Sequence, residues 1–408
     1  MSWIDNQKDR LDTALYDFLK TSQKSNENLV PVIIKLKKSS NYKTLSELCP
    51  LEKVDKPIYN LLSMSMFSGK LSHKTIERLS YHSEVEAIYF DQKVRAFLDV
   101  ATPAIEATKV MNSYGLKGTG VTIAILDSGI YPHPDLTRPT NRIIAFKDFI
   151  QNRTTPYDDN GHGTHVAGCA ASNGFSSSGK YKGPAPEANL VGVKVLDADG
   201  SGTFSTVIAG IDWCIQNRLL YNIKIMNLSL GAIPTTDYFN DPLAQAVRKA
   251  WRSGIVVCAA AGNSGPNGTI NTPGFDPLIL TIGAINDQAT IPRSDDTYAN
   301  YTSRGPTING FNKPDVAAPG TNITSLLAPD SRLARQYPEN VVNNVYLILS
   351  GTSMATPLCS GSCAQILQAY PTFTPDQLKN YISSTSQAFA PDKPGYLLVS
   401  RVIYLTKG

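Results

Sequence analysis

The 408-residue chain is 42% hydrophobic and 18% charged, a balance that allows a large buried core and excludes an intrinsically disordered protein. A net charge of +4 is too slight a bias for a nucleic-acid binder or a membrane-surface protein, and no run of 18 apolar residues is present to cross a bilayer. The first 24 residues carry Asp, Lys and Arg throughout and no apolar h-region, so the expectation is a cytoplasmic protein without a secretory signal, with leaderless release as the alternative.

Charge density divides the chain. Of the first 99 positions 28 are charged, against 44 of the remaining 309. The small-residue stretch Val100-Ala101-Thr102-Pro103-Ala104 follows the change, so two domains are expected, 1–99 and 100–408. In the first, Ile4, Leu11, Leu15, Phe18 and Leu19 share a helical face. A strand follows at 30–37, and the apolar stretch 61–67, a helix-like 72–79 and a strand at 86–90 complete a small α+β unit. From about residue 115, near-continuous apolar runs at 121–126, 189–196, 223–228, 255–259 and 279–285 predict parallel strands covered on both faces. Helices are predicted between them, at 204–216 and 242–252, and Thr374-Pro375-Asp376-Gln377 is a capping box with Pro at the first helical position. The alternation predicts a doubly wound, mostly parallel α/β sheet. Six cysteines in so long a chain make no disulfide scaffold. Cys169, Cys214 and Cys258 fall in predicted core segments, Cys359 and Cys363 lie four apart on one predicted helix, and Cys49 belongs to the first domain.

Reactive groups in such sheets collect at the carboxyl ends of strands. Asp127 ends the run 121–126 and is followed by the turn Ser128-Gly129. His162 sits in Asp159-Asn160-Gly161-His162-Gly163-Thr164-His165-Val166-Ala167-Gly168, a glycine-flanked entry into a small-residue helix. Ser353, in Gly351-Thr352-Ser353-Met354-Ala355-Thr356-Pro357, stands at another helix start, with Pro357 expected in the first turn. Ala259-Ala260-Ala261-Gly262-Asn263 offers a side-chain amide past a buried strand, where an oxyanion donor would sit. Singly, these are a turn aspartate, a helix-start histidine and an N-cap serine. Together they supply a nucleophile, a base and an orienter, in the chain order Asp, His, Ser.

On the motifs Ala124-Ile125-Leu126-Asp127-Ser128-Gly129-Ile130, Gly161 to Gly168, Ala260-Ala261-Gly262-Asn263 and Gly351 to Pro357, the chain from about 100 to 390 resembles the subtilisin family of serine proteases, and within it the AprX-like branch of bacilli. The resemblance implies a serine endopeptidase of broad specificity that works through an acyl-enzyme. Ser353 would be the nucleophile, His162 the general base and then acid, and Asp127 its orienter. Asn263 would form the oxyanion hole with the Ser353 N–H. Gly200-Ser201-Gly202 and Ser229-Leu230-Gly231 would be backbone edges flanking an extended peptide, with Ala260, Ala261 and Gly262 beside them. The implied partners are protein and peptide substrates, with no nucleic acid and no membrane. Residues 1–99 would be a propeptide and intramolecular inhibitor, with 93–99 lying across the site and self-cleavage between about Arg95 and Ala101. No cofactor is required for the chemistry. Structural calcium is common in the family, and Asp135 falls where relatives place a ligand, but the Ser/Gly-rich loop 173–182 departs from the usual pattern, so the metal stays unassigned.

Other readings compete. A catalytically silent relative acting as a binding protein would not need Asp127, His162, Ser353 and Asn263 all intact. A dinucleotide-binding oxidoreductase, suggested by Gly118-Thr119-Gly120, would need those glycines after the strand and not before it. His162 and His165 lack the Glu of a zinc-protease motif. The near P-loop at 174–181 has Tyr181 in place of the magnesium-binding hydroxyl, which favours a surface loop.

Overall fold

The computed structural model describes residues 2–22, 29–37, 41–61, 65–90, 98–387 and 395–405. The chain divides into two compact units, Met1–Val94 and Arg95–Gly408. A boundary at 99/100 would cut a helix, Leu98–Ala104, that belongs to the second unit. Of the segment expected to lie across the site, 93–99, residues 93–97 are outside the described residues.

In the first unit the elements are α1 (Trp3–Asn6), α2 (Thr13–Ser22), β1 (Val30–Leu36), α3 (Leu45–Leu48), β2 (Lys56–Leu61), β3 (Met66–Leu71), α4 (His73–Tyr81) and β4 (Val85–Phe90). The antiparallel sheet has the order β2-β3-β1-β4. Of the stretch 61–67, expected as one element, Leu61 ends β2 and Met66 and Phe67 begin β3, while 62–64 lie outside the described residues. β1 alternates, with Val30, Val32, Ile34 and Leu36 buried against Ile4, Leu15, Leu19, Ile76 and Leu79. Helix α4 starts where the Ser72 hydroxyl accepts from Thr75 N–H, and Asp55 in turn accepts from Ser72 N–H at 2.6 Å.

The second unit contains α5 (Leu98–Ala104), α6 (Ala107–Tyr114), β5 (Thr122–Asp127), α7 (Pro134–Thr137), β6 (Ile143–Asp148), α8 (His162–Ala171), β7 (Asn189–Lys194), α9 (Phe204–Asn217), β8 (Ile223–Leu228), α10 (Pro242–Arg252), β9 (Val256–Ala260), β10 (Leu280–Asn286), β11 (Thr297–Tyr298), β12 (Val316–Pro319), β13 (Ile323–Leu326), α11 (Arg332–Gln336), β14 (Val341–Val342), β15 (Tyr346–Leu349), α12 (Thr352–Ala369), α13 (Pro375–Thr385), β16 (Gly395–Tyr396) and α14 (Val399–Leu405). The main sheet runs β16-β12-β10-β9-β8-β5-β7-β6, every neighbouring pair parallel, with β11 added antiparallel to β10. β5 and β9 are buried at every position, as the apolar runs require. The capping box opens α13, with reciprocal bonds between Thr374 and Gln377.

Helix α12 passes through the core, with almost every residue from Thr352 to Leu367 buried. Pro357 is its sixth residue, beyond the first turn where it was expected. A proline there has no N–H for the carbonyl four residues back, which is that of Ser353. The Ser229 hydroxyl fills the vacancy, donating to Ser353 O at 2.9 Å.

Candidate active site

The carboxyl ends of β5 and β9 and the first residues of α8 and α12 build the site. Asp127 is the last residue of β5 and fully buried. Its Oδ1 lies 2.8 Å from His162 Nδ1 and accepts from Ser128 N–H at 2.7 Å. His162, 22% exposed, is the first residue of α8. The preceding Gly161 has φ +101°, and a Cβ there would stand 2.6 Å from Ser331 Oγ, so both conformation and space demand glycine. Burial disfavours the imidazolium, but the Asp127 charge and hydrogen bond, with Asp158 behind them, outweigh it and raise the His162 pKa above the usual 6.5.

Asp158 shapes this turn, and its role was not evident from the chain. Its carboxylate accepts from Ser128 Oγ, Asn160 N–H, Gly161 N–H, Thr164 N–H and Thr164 Oγ at 2.7–3.2 Å. It thereby satisfies donors at the start of α8 and ties them to the Asp127 turn. Lys194, buried at the end of β7, adds a second tie through Ser128 O, Leu196 O and Asp159.

Ser353 is the second residue of α12, and its hydroxyl donates to Ser229 O at 3.1 Å. Asn263 follows β9, whose continuation Ala261-Gly262 brings Gly262 N–H to Thr352 Oγ at 3.2 Å. The Asn263 carboxamide oxygen accepts from Thr352 N–H at 2.9 Å and Thr352 Oγ at 3.0 Å, which fixes the amide with its Nδ2 toward Gly351. The point where a Gly351 Cβ would stand is 3.3 Å from Asn263 Nδ2 and 3.6 Å from Ser353 N. Two donors thus flank a space kept open by a missing side chain. Thr352, unremarked in the sequence, sets the orientation of the amide.

A cleft of about 510 Å³ is lined by His162, by Gly200, Ser201 and Gly202, and by Ser229, Leu230 and Gly231. Ala260, Ala261 and Gly262 do not line it; they form the buried approach to Asn263. Leu196, Phe204, Val207, Leu243 and Leu333 make its apolar walls. Leu333 comes from α11, which hangs on the α8 entry through Arg332 N–H to Asp159 O and Leu333 N–H to Asn160 O, both at 2.9 Å.

Asp135 does not fit calcium. A calcium site offers bare oxygens, whereas Asp135 Oδ1 accepts from Ser176 N–H at 2.8 Å and Oδ2 from Tyr346 Oη at 2.9 Å and Ser172 Oγ at 3.1 Å. Its carbonyl accepts from the Arg142 guanidinium at 2.6 Å. At a second oxygen-rich place the protein supplies its own cations. Lys313 Nζ binds Ile279 O, Thr281 Oγ and Asp315, and Lys379 Nζ binds Pro277 O, Leu278 O and Ile279 O. Burial lowers Lys313 to about 8. His165 is structural: its Nε2 lies 2.9–3.0 Å from the carbonyls of Ile323 and Leu347, and burial pushes it down to about 3. The segment 174–181 is a loop with a short 3₁₀ turn at Phe175–Ser177.

Comparison with known proteins agrees with this architecture. Residues 118–400 match the Subtilase family and residues 32–97 match Peptidase inhibitor I9. The chain is 43% identical over 395 residues to serine protease AprX of Bacillus subtilis (strain 168), covering 93% of this chain and 88% of that one. It is 37% identical over 288 residues to subtilisin DY of Bacillus licheniformis, covering 70% and 89%. A crystal structure of a cold adapted subtilisin-like serine proteinase aligns with a TM-score of 0.54 at 31% identity, covering 70% of this chain and 90% of that one. The chain belongs to the subtilase family. It is a serine endopeptidase of the subtilisin type, and its inhibitor-like N-terminal domain implies a zymogen.

Proposed function

We propose that the chain hydrolyses peptide bonds through an acyl-enzyme on Ser353, His162 and Asp127. Rotation about χ1 takes the Ser353 hydroxyl from Ser229 O to His162 Nε2. As Oγ attacks the scissile carbonyl carbon, its proton passes to Nε2, and the carbonyl oxygen becomes an oxyanion between Asn263 Nδ2 and Ser353 N–H. The imidazolium then protonates the leaving amine, and water repeats the sequence to free the acid. Asp127 holds the Nδ1–H tautomer and stabilises the imidazolium. What carries this reading is the buried Asp127 2.8 Å from His162, which shares its cleft with Ser229, the residue whose carbonyl accepts from the Ser353 hydroxyl, together with two donors converging over Gly351.

The cleft supports broad specificity. Its edges at 200–202 and 229–231 are mostly small residues that let an extended peptide approach the backbone closely, and its apolar walls favour hydrophobic side chains without demanding one sequence. We infer further that the N-terminal unit is an intramolecular inhibitor released by self-cleavage between about Arg95 and Ala101. A fluorophosphonate probe tests the triad: the adduct should map to Ser353 and vanish in Ser353→Ala. An adduct on another serine, or none on the folded wild type, would overturn the assignment.

A further inference from the structure

Three cysteines that the hydrolytic chemistry does not use meet beneath it. Cys258 comes from β9, and Cys359 and Cys363 stand one turn apart on α12. Their sulfurs all lie within 4.8 Å of one another, all three residues are fully buried, and none is in a disulfide. Among the described residues no His, Asp, Glu or further Cys joins the cluster, so it offers three soft donors, with the Ser360 hydroxyl beside Cys258 as a neutral hydrogen-bonding neighbour. A triangle with 4.8 Å sides has its centre about 2.8 Å from each corner, against ~2.3 Å for a zinc–thiolate bond. An ion in their plane would need the sulfurs to move inward by about half an ångström at most, and a pyramidal centre, which sits above the plane, draws them closer than that.

Charge selects the occupant. A net charge left unpaired in a dry core costs several kcal/mol. The charged side chain that acts on Cys359 is acidic, Asp315, and it is already paired with Lys313 and Lys379. Three thiolates around a monovalent ion would carry −2 and around a divalent ion −1. Around a trivalent centre they carry none.

We propose that Cys258, Cys359 and Cys363 form a three-coordinate thiolate site for a trivalent pnictogen hydroxide such as arsenite, bound as a neutral trithiolate. The exchange balances without an oxidant or reductant. Three arsenic–oxygen bonds break, three arsenic–sulfur bonds form, and each thiol proton leaves with a hydroxide as water. Arsenic stays trivalent throughout. The neutral hydroxide also crosses an apolar core more easily than an ion. Occupancy ties β9, which leads to Asn263, to α12, which begins beside Ser353.

The test uses the full-length chain with Ser353→Ala to limit self-digestion. It is refolded with a phosphine reductant and sodium arsenite, then desalted. Native mass spectrometry should find one arsenic per chain, arsenic-edge X-ray absorption should find three sulfur neighbours, and the melting temperature should rise. Cys258→Ala, Cys359→Ala and Cys363→Ala should each abolish retention, while Cys49→Ala and Cys214→Ala keep it, circular dichroism confirming the fold in each. Absence of arsenic on the folded chain, a shell containing oxygen or only two sulfurs, retention by any of the three single variants, or displacement by equimolar zinc would overturn the proposal. Because the X-ray shell is read on the unaltered thiols, the result does not depend on whether the variants fold.

Discussion

The two units cover their sheets differently. In the small unit β1 alternates buried with half-buried side chains, so one face of the sheet provides most of the core. In the large unit β5 and β9 are buried at every position, and helices such as α8, α10 and α12 close the layers. A domain of fewer than a hundred residues buries a smaller share of its surface than one three times longer. The small unit should thus be the weaker body, suited to being removed. The large unit can hold the buried polar network of Asp127, Ser128, Asp158 and Lys194 that a rigid active site needs.

The sharpest break comes from the nucleophile. Ser353→Ala should lower turnover by ~10⁶, the loss that removal of the nucleophile causes in subtilisin itself, while both units stay folded by circular dichroism. Asn263→Ala should lower kcat by ~10²–10³ with little change in KM, again the magnitude met in subtilisin. A change confined to KM would mean that the amide binds the ground state only. Truncations then separate the units. Leu126→Ala and Leu79→Ala both empty fully buried sites, each at ~2–5 kcal/mol. In calorimetry of the inactive full-length chain, Leu79→Ala should melt the small unit early and leave the large transition in place, whereas Leu126→Ala should lower the large one. A single shared transition shifted equally by both would abolish the distinction.

Smaller effects follow from protons and metals. With His162 raised above 6.5, the acid limb of kcat/KM should have an apparent pKa above that value. The stabilisation from the His162–Asp127 pair is fully present below 6.5 and is lost as pH rises through the higher folded value. The stability difference between the Ser353→Ala chain and the same chain carrying His162→Gln should therefore shrink with rising pH. Dialysis against EDTA should leave the melting temperature unchanged, since protein donors already serve Asp135 and lysines fill the carbonyl cradle.

What could be read in the chain was what is local. The strand runs, the triad motifs and α10, with Asp241 as cap and Pro242 at its first position, each declare themselves within a dozen residues. What escaped was closed by distant parts. Asp158 looks like one more loop aspartate until Ser128, 30 residues earlier, donates to it. Lys194 ends an apolar strand, and only the fold brings Asp159 to it. Strands β13 and β15 are short, pair with each other, and carry no periodic run. The thiol cluster joins Cys258 to a helix about a hundred residues later, so only two of its three cysteines could be seen from spacing.

In the function proposed above, the weak unit is a dissociable inhibitor of the strong one. A time course of intact mass and N-terminal sequencing on freshly folded full-length protein tests it most directly. The expected result is one early cut between about Arg95 and Ala101 in wild type, none in Ser353→Ala, and activity that appears only as the small fragment is lost. A full-length chain that stays uncut and fully active would contradict it.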